Sequence, residues 1–207
     1  MYLFTLVLGI VLLPEASTLR CYECKPGLDG TCSEATTQCP SPANQCAAVR
    51  VTSYSGGSAP ANVNAKSCAV SEECVEHSIN FGDSRTVVTS KCCNTDLCNT
   101  QPAPEPSTLN PNGKKCVTCD GENCNTILNC QGNEDYCISA TVNAGGEKIT
   151  MKGCVSRTLC LNTKSTLVPA LLQAEISCCQ GNNCNSASST SAGLMLLVAP
   201  LISLVLS

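Results

Sequence analysis

The eight residues CCNTDLCN, Cys92 to Asn99, return further down the chain as CCQGNNCN, Cys178 to Asn185. Two adjacent cysteines, four spacers, a cysteine and an asparagine are too specific a word to recur without a reason. Working outward from each copy, the 20 cysteines fall into two sets. The first is Cys21, Cys24, Cys32, Cys39, Cys46, Cys68, Cys74, Cys92, Cys93 and Cys98, spaced C-x2-C-x7-C-x6-C-x6-C-x21-C-x5-C-x17-CC-x4-C-N. The second is Cys116, Cys119, Cys124, Cys130, Cys137, Cys154, Cys160, Cys178, Cys179 and Cys184, spaced C-x2-C-x4-C-x5-C-x6-C-x16-C-x5-C-x17-CC-x4-C-N. Six of the nine gaps agree, so one module is written twice.

Composition explains the sulfur. Within the two modules the only aromatic residues are Tyr22, Tyr54, Phe81 and Tyr136, and there is no Trp. Units of roughly 70 to 80 residues with so few large side chains bury too little apolar area to offset chain entropy without staples. Disulfides supply about 2 to 4 kcal/mol each by restricting the unfolded chain. The competing reading is zinc, because Cys21-x2-Cys24 and Cys116-x2-Cys119 each look like half of a four-cysteine site. Cysteine number and an oxidising compartment weigh against it. A thioredoxin-like use of C-x-x-C needs a βαβ pattern, which neither pair has.

Both ends of the chain point outside the cell. Tyr2 to Leu13, YLFTLVLGIVLL, is too short an apolar run to span a bilayer, and Pro14 and the small residues Ala16, Ser17 and Thr18 follow it. That shape predicts a cleaved secretory signal over residues 1–18, although no Lys or Arg precedes the run. At the other end NSASSTSAGLMLLVAPLISLVLS carries no charge, and its apolar part, Leu194 to Leu206, falls short of the ~20 residues of a spanning helix. Small residues, a Ser/Thr spacer and a short apolar terminus match the signal for a glycosylphosphatidylinositol (GPI) anchor over residues 186–207. Asn185, Ser186 and Ser188 are the candidate attachment residues. A plain secreted tail and a lone transmembrane helix are the alternatives. Between the modules, residues 101–113 hold Pro102, Pro104, Pro106 and Pro111 and read as a semi-rigid spacer that stays out of any sheet. The modules are then residues 19–100 and 114–185. Ser107 and Thr108 could carry O-linked sugar, whereas no Asn-x-Ser/Thr sequon occurs.

Period-two alternation marks strands. Ile138, Ala140, Val142 and Ala144 alternate with polar residues, Gly145 and Gly146 turn the chain, and Ile149 and Met151 alternate on the way back to Cys154. Arg85 to Lys91, RTVVTSK, suits a strand entering Cys92, and SYSGGSAP centres the loop between Cys46 and Cys68. No ten-residue amphipathic helix is evident. Each module is expected to be all-β, with hairpins projecting from a cysteine-dense base.

LRCYEC at Leu19 to Cys24, ten cysteines in this order and the closing CC-x4-CN resemble the three-finger domains of the lymphocyte-antigen-6 and urokinase-receptor (uPAR, LU) family, over nearly all of both modules. Cysteine number alone leaves many pairings open. The resemblance implies one: Cys21–Cys46, Cys24–Cys32, Cys39–Cys68, Cys74–Cys92 and Cys93–Cys98, then Cys116–Cys137, Cys119–Cys124, Cys130–Cys154, Cys160–Cys178 and Cys179–Cys184. It also implies that Asn99 and Asn185 hydrogen-bond main-chain groups of the central strands, a task for which an amide offers both donor and acceptor. If Asn185 is so engaged, Ser186 or Ser188 is the better attachment residue for the lipid.

Little in the chain suggests chemistry. The lone His77 lies in CVEHSINFGD and reads as a solvated loop residue, since a hydrolytic triad would need a nucleophile held against it and an orienting acid. Glu72, Glu73 and Glu76 read as a solvated acidic face. No catalytic residue, metal or cofactor is expected. Nucleic acid is disfavoured by 6 basic against 8 acidic residues in the first module and 6 against 6 in the second, with a net charge of −4 overall. What remains is protein recognition. Leu167, Val168, Leu171 and Leu172 in STLVPALLQ are more apolar than a finger tip needs, and with Tyr54 they are the candidate interface; packing against the chain itself is the bland alternative. The resemblance thus implies a GPI-anchored cell-surface protein that binds an extracellular protein ligand through its finger loops, in a receptor, adhesion or ligand-modulating role. A second copy of the chain is a further candidate partner. The alternative is a secreted or surface inhibitor of an extracellular enzyme, as in the two-domain phospholipase inhibitors that share the fold. Finger loops vary freely on a fixed disulfide frame, so the ligand is not named by the frame.

Overall fold

A computed structural model describes residues 18–26, 32–56, 58–107, 110–120, 123–144, 147–161 and 175–186. Among them the chain runs β1 (Arg20–Glu23), β2 (Ala35–Gln38), β3 (Gln45–Ser55), β4 (Ala61–Ala69), one 3-10 turn (Ser71–Glu73), β5 (His77–Asn80) and β6 (Ser84–Cys93). It continues as β7 (Pro111–Asp120), β8 (Asn123–Gln131), β9 (Tyr136–Ala144), β10 (Glu147–Val155), the short helix α1 (Arg157–Leu161) and β11 (Glu175–Cys179). The protein is all-β, as its alternating patterns require. Packing divides it into two compact units: Met1–Val51, Asn62–Val75 and Thr89–Glu105 form the first, and Thr52–Ala61, Glu76–Val88 and Pro106–Ser207 the second. This division does not follow the cysteine sets. Residues 76–88 lie between Cys74 and Cys92 in sequence, yet pack with the second set.

In the first unit β1 pairs antiparallel with β2, Cys21 opposite Thr37, and the remaining strands run in the order β6–β3–β4. The core is small side chains and sulfur. Ala47, Ala48 and Val49 of β3 are buried, and Cys21, Cys39 and Cys46 form a cluster with Leu19, Cys68, Cys93 and Cys98 around it. The bridges here are Cys21–Cys46, Cys24–Cys32, Cys39–Cys68, Cys74–Cys92 and Cys93–Cys98. The Pro-rich stretch is less free than its composition suggests. Ala103 is buried, Thr89 Oγ1 donates to the Pro104 carbonyl at 2.6 Å, and Glu105 forms an ion pair with Arg50.

In the second unit the strand order is β11–β9–β10–β5–β6, with antiparallel pairing throughout. The alternation read from β9 and β10 becomes a register of Ile138 opposite Gly153, Ala140 opposite Met151 and Val142 opposite Ile149. Ile138, Ala140 and Val155 meet Leu159 of α1 and Ile79 of β5 in one apolar cluster, with Phe81 and Ile176 packed against it. β7 and β8 form a separate antiparallel pair with register shifts at both ends. The expectation that residues 101–113 stay out of any sheet fails at its end, because Pro111 opens β7 opposite Gln131. Proline is tolerated as the first residue of a strand, where its missing N–H breaks no interior ladder bond. The bridges of this unit are Cys116–Cys137, Cys119–Cys124, Cys130–Cys154, Cys160–Cys178 and Cys179–Cys184. Cys21 and Cys24 sit in different bridges, as do Cys116 and Cys119, so no free thiolate remains among the described cysteines for the zinc reading.

Candidate functional site

Each cysteine set ends in the same clamp. Asn99 is buried; its Oδ1 accepts from Tyr22 N at 3.0 Å, and its Nδ2 donates to the carbonyls of Tyr22 at 2.9 Å and Ala47 at 3.0 Å. Asn185 repeats this with Val117 N at 2.9 Å, Val117 O at 2.9 Å and Ile138 O at 2.9 Å. One amide therefore ties the first strand of its set to a central strand. The final bridge, Cys93–Cys98 or Cys179–Cys184, delivers that asparagine to its place. Of the candidate attachment residues, Asn185 is held inside this clamp, Ser186 is exposed, and Ser188 lies outside the described residues.

The second unit contains a polar centre that no local pattern announces. Glu134, in the turn between β8 and β9, is 0% exposed. Its Oε1 accepts from Ser78 Oγ at 2.7 Å and from Arg85 Nε at 2.8 Å, and its Oε2 accepts from Gln131 N at 2.8 Å and Asn80 Nδ2 at 3.4 Å. A carboxylate with four donors, one of them a guanidinium, is the kind of buried charge that a fold can hold. Asn112 Nδ2 fixes the same turn by donating to the carbonyls of Gly132 at 3.0 Å and Glu134 at 3.1 Å.

Three of the four donors to Glu134 come from residues 78–85. The pairing of β5 with β10, Asn80 opposite Cys154 and Ile79 opposite Val155, continues through a bond from Ser156 N to Ser78 O at 2.8 Å. Asn133 Nδ2 donates to Glu76 O at 2.6 Å, and Thr118 Oγ1 donates to Phe81 O at 2.5 Å. Two glycines permit the approach. A Cβ on Gly153 would lie 1.9 Å from the Asn80 carbonyl oxygen, and one on Gly82, whose φ is +91°, would lie 3.2 Å from Thr118 Oγ1.

This centre corrects the reading of His77 as a solvated residue. It is 2% exposed on β5, and its Nδ1 lies 2.7 Å from Thr158 Oγ1. All four residues of β5 are buried, which a short HSIN strand achieves only by finding partners on both faces. The acidic face also breaks up: Glu76 accepts from Ser107 N at 2.9 Å and Glu73 from Val70 N at 3.4 Å, while Glu72 stays exposed. Tyr54, near the end of β3, is half-buried; Leu167, Val168, Leu171 and Leu172 lie outside the described residues. Ile149 on β10 is 47% exposed. A cleft of about 670 Å³ in the first unit is lined by Thr18, Ser41, Asn44, Asn94 and Asp96 among others, and the Asp96 carboxylate in it is engaged by Arg20 N at 3.0 Å.

The family model of the u-PAR/Ly-6 domain matches residues 17–101 and again residues 112–187. The chain belongs to the u-PAR/Ly-6 domain family. The repeat read from CCNTDLCN is thus two u-PAR/Ly-6 domains in tandem. The urokinase plasminogen activator surface receptor of Mus musculus is 28% identical over 186 residues, covering 84% of this chain and 56% of the receptor. That of Rattus norvegicus is 27% identical over 206 residues, covering 91% of this chain and 62% of the receptor. Protein RoBo-1 of Rattus norvegicus is 32% identical over 99 residues, 44% of this chain and 41% of its own length. The chain therefore spans from 56% to 62% of the two receptors. Residues 76–88 fall within the first u-PAR/Ly-6 match and Glu134 within the second.

Proposed function

We propose that this chain is a GPI-anchored cell-surface protein that binds an extracellular protein through its finger surfaces. The observation that carries the proposal is the pair of u-PAR/Ly-6 domains, whose relatives are named as surface receptors. Physical reasoning supports it. Ten bridges fix two frames, so the loops on them lose little freedom when they engage a partner. Tyr54 stands in a Ser- and Gly-rich stretch, SYSGGS, a composition that suits adaptable contacts around one aromatic anchor. Binding rather than catalysis is the reading favoured by His77, the one histidine of the chain and the commonest type of general base, being buried on β5 beside Thr158. Ser186 or Ser188 carries the lipid, since Asn185 serves the clamp.

The test has two parts. Phosphatidylinositol-specific phospholipase C should release the protein from expressing cells, and full retention after complete digestion would sink the anchor. Proximity labelling from the displayed protein should then enrich one extracellular protein over a display control, and binding to it should weaken on Tyr54→Ala. Labelling indistinguishable from the control would remove the receptor reading.

A further inference from the structure

Resting on the anchor reading, Ser186 and Ser188 compete to carry the lipid, and sequence and structure separate them. Each is followed by two small residues, Ala187 and Ser188 in the first case and Ser189 and Thr190 in the second. An attachment signal also needs a polar spacer of about 8 to 12 residues before its apolar tail. Ser186 has seven residues, 187–193, ahead of Leu194, whereas Ser188 has five, 189–193. The earlier residue comes closer to the requirement. Asn185 is earlier still, but its amide is committed to Val117 and Ile138. Ser186 is exposed where the second unit ends, and its N donates to the Asn183 carbonyl at 3.0 Å. Its own carbonyl oxygen lies 3.5 Å from Lys152 Nζ on β10. Lys152 is half-buried, and among the described residues it forms no ion pair. Across the sheet it stands opposite Ser139, which stands opposite Ser177; Glu175, opposite Thr141, is two strands over and two positions along. Lys115 flanks the same loop, its N donating to Asn182 Oδ1 at 3.1 Å and its carbonyl accepting from Asn183 N at 2.7 Å. An ammonium has three donors, so one long contact to a carbonyl leaves its charge unmatched.

We infer that Ser186 is the attachment residue and that Lys152 holds the first phosphate of the anchor. Attachment breaks the peptide bond between Ser186 and Ala187 and forms an amide between the Ser186 carbonyl carbon and the nitrogen of an ethanolamine phosphate. The ethanolamine amine passes a proton to the new amino group of Ala187, which leaves with the tail. The phosphate then stands two methylenes from the new amide nitrogen, within reach of the side chain that already touches the Ser186 carbonyl. A phosphodiester keeps one negative charge at neutral pH, and an ammonium without a carboxylate matches it. Attachment at Ser188 would put two more residues between that carbonyl and the phosphate. Held by Lys152, the glycan leaves the second unit in a fixed direction instead of swinging on a free tail.

Protein released from cells by phosphatidylinositol-specific phospholipase C keeps this phosphate and serves as the test material. Peptide mass spectrometry should find the glycan on Ser186; a glycan on Ser188 or elsewhere overturns the assignment and leaves the anchor in place. Amine acylation read by mass spectrometry then reports on Lys152. The comparison is a secreted chain in which a neutral Gly/Ser tail follows Ser186. Lys152 should react about two- to fivefold more slowly in the released protein, the range that an exposed ion pair supports. Lys148 on the same strand should react equally in both. The protection should vanish at about 1 M salt, where charges are screened beyond about 3 Å. Equal Lys152 rates in the two proteins, or protection that survives high salt, refute the phosphate contact. Full retention on cells after complete digestion instead refutes the anchor, and the site with it, so the two failures are told apart.

Discussion

The hairpin β9–β10 and residues 76–88 of the hairpin β5–β6 lie in the same unit and obey different rules. β9 alternates over residues 138 to 141, with Ile138 and Ala140 buried and Ser139 and Thr141 half-buried, while β10 grades from exposed at Glu147 to buried at Val155, and nine positions pair between the two strands. β5 does not alternate, since His77, Ser78, Ile79 and Asn80 are all buried. One strand is specified by its own period, the other by groups far away in sequence. Ser78 and Arg85 reach Glu134 across 56 and 49 positions. A hairpin held by its own pattern should tolerate substitution well, and one held by remote polar partners should not.

That difference can be broken most forcefully at Glu134. Replacing it with Ala strands the Arg85 guanidinium inside the unit, and loss of one member of a buried pair costs about 3 to 5 kcal/mol. Urea unfolding of the released protein should show the midpoint fall sharply, and an unchanged midpoint would mean that the pair holds nothing. Gly153→Ala comes next. Its Cβ would meet the Asn80 carbonyl, so β5 must shift away from β10 at a cost of about 1 to 3 kcal/mol, visible in the same assay. On the self-specified hairpin the effects shrink. Thr141 and Thr150 face each other with hydroxyls 3.0 Å apart, and Thr150→Ala should cost only about 0.2 to 1 kcal/mol, measured by the same midpoint. Smallest is Ile149→Ser at the exposed tip, expected within about 0.5 kcal/mol of wild type. A stability loss there as large as at Glu134 would erase the contrast between the two hairpins.

The sequence made β9–β10 legible because a period of two survives in a half-buried hairpin. It made the tandem repeat legible because cysteine spacing is copied along with the bridges it serves. The asparagine clamps and the pairing came through family resemblance, since spacing alone does not choose partners. Glu134 was not legible. In QGNEDY it looks like any acidic residue of a surface turn, and only Ser78, Asn80 and Arg85 brought to it in space make it a core residue. His77 was misread for the same reason: HSIN is polar enough for a loop, and its burial depends on Thr158 and the edge of β10. The spacer was half legible, its prolines indicating stiffness but not that Pro111 would open β7. Local pattern identifies elements whose partners are neighbours. It says nothing of a strand whose environment is assembled from another domain's residues.

Hydrogen exchange across β5 tests this account most directly. If His77–Asn80 is seated on β10 by Glu134, peptides covering it should exchange as slowly as those covering Tyr136–Ala144, and Glu134→Ala should speed β5 while leaving β9 protected. Exchange of β5 at the rate of an exposed strand in the wild-type protein, or equal loosening of β5 and β9 in the variant, would contradict it.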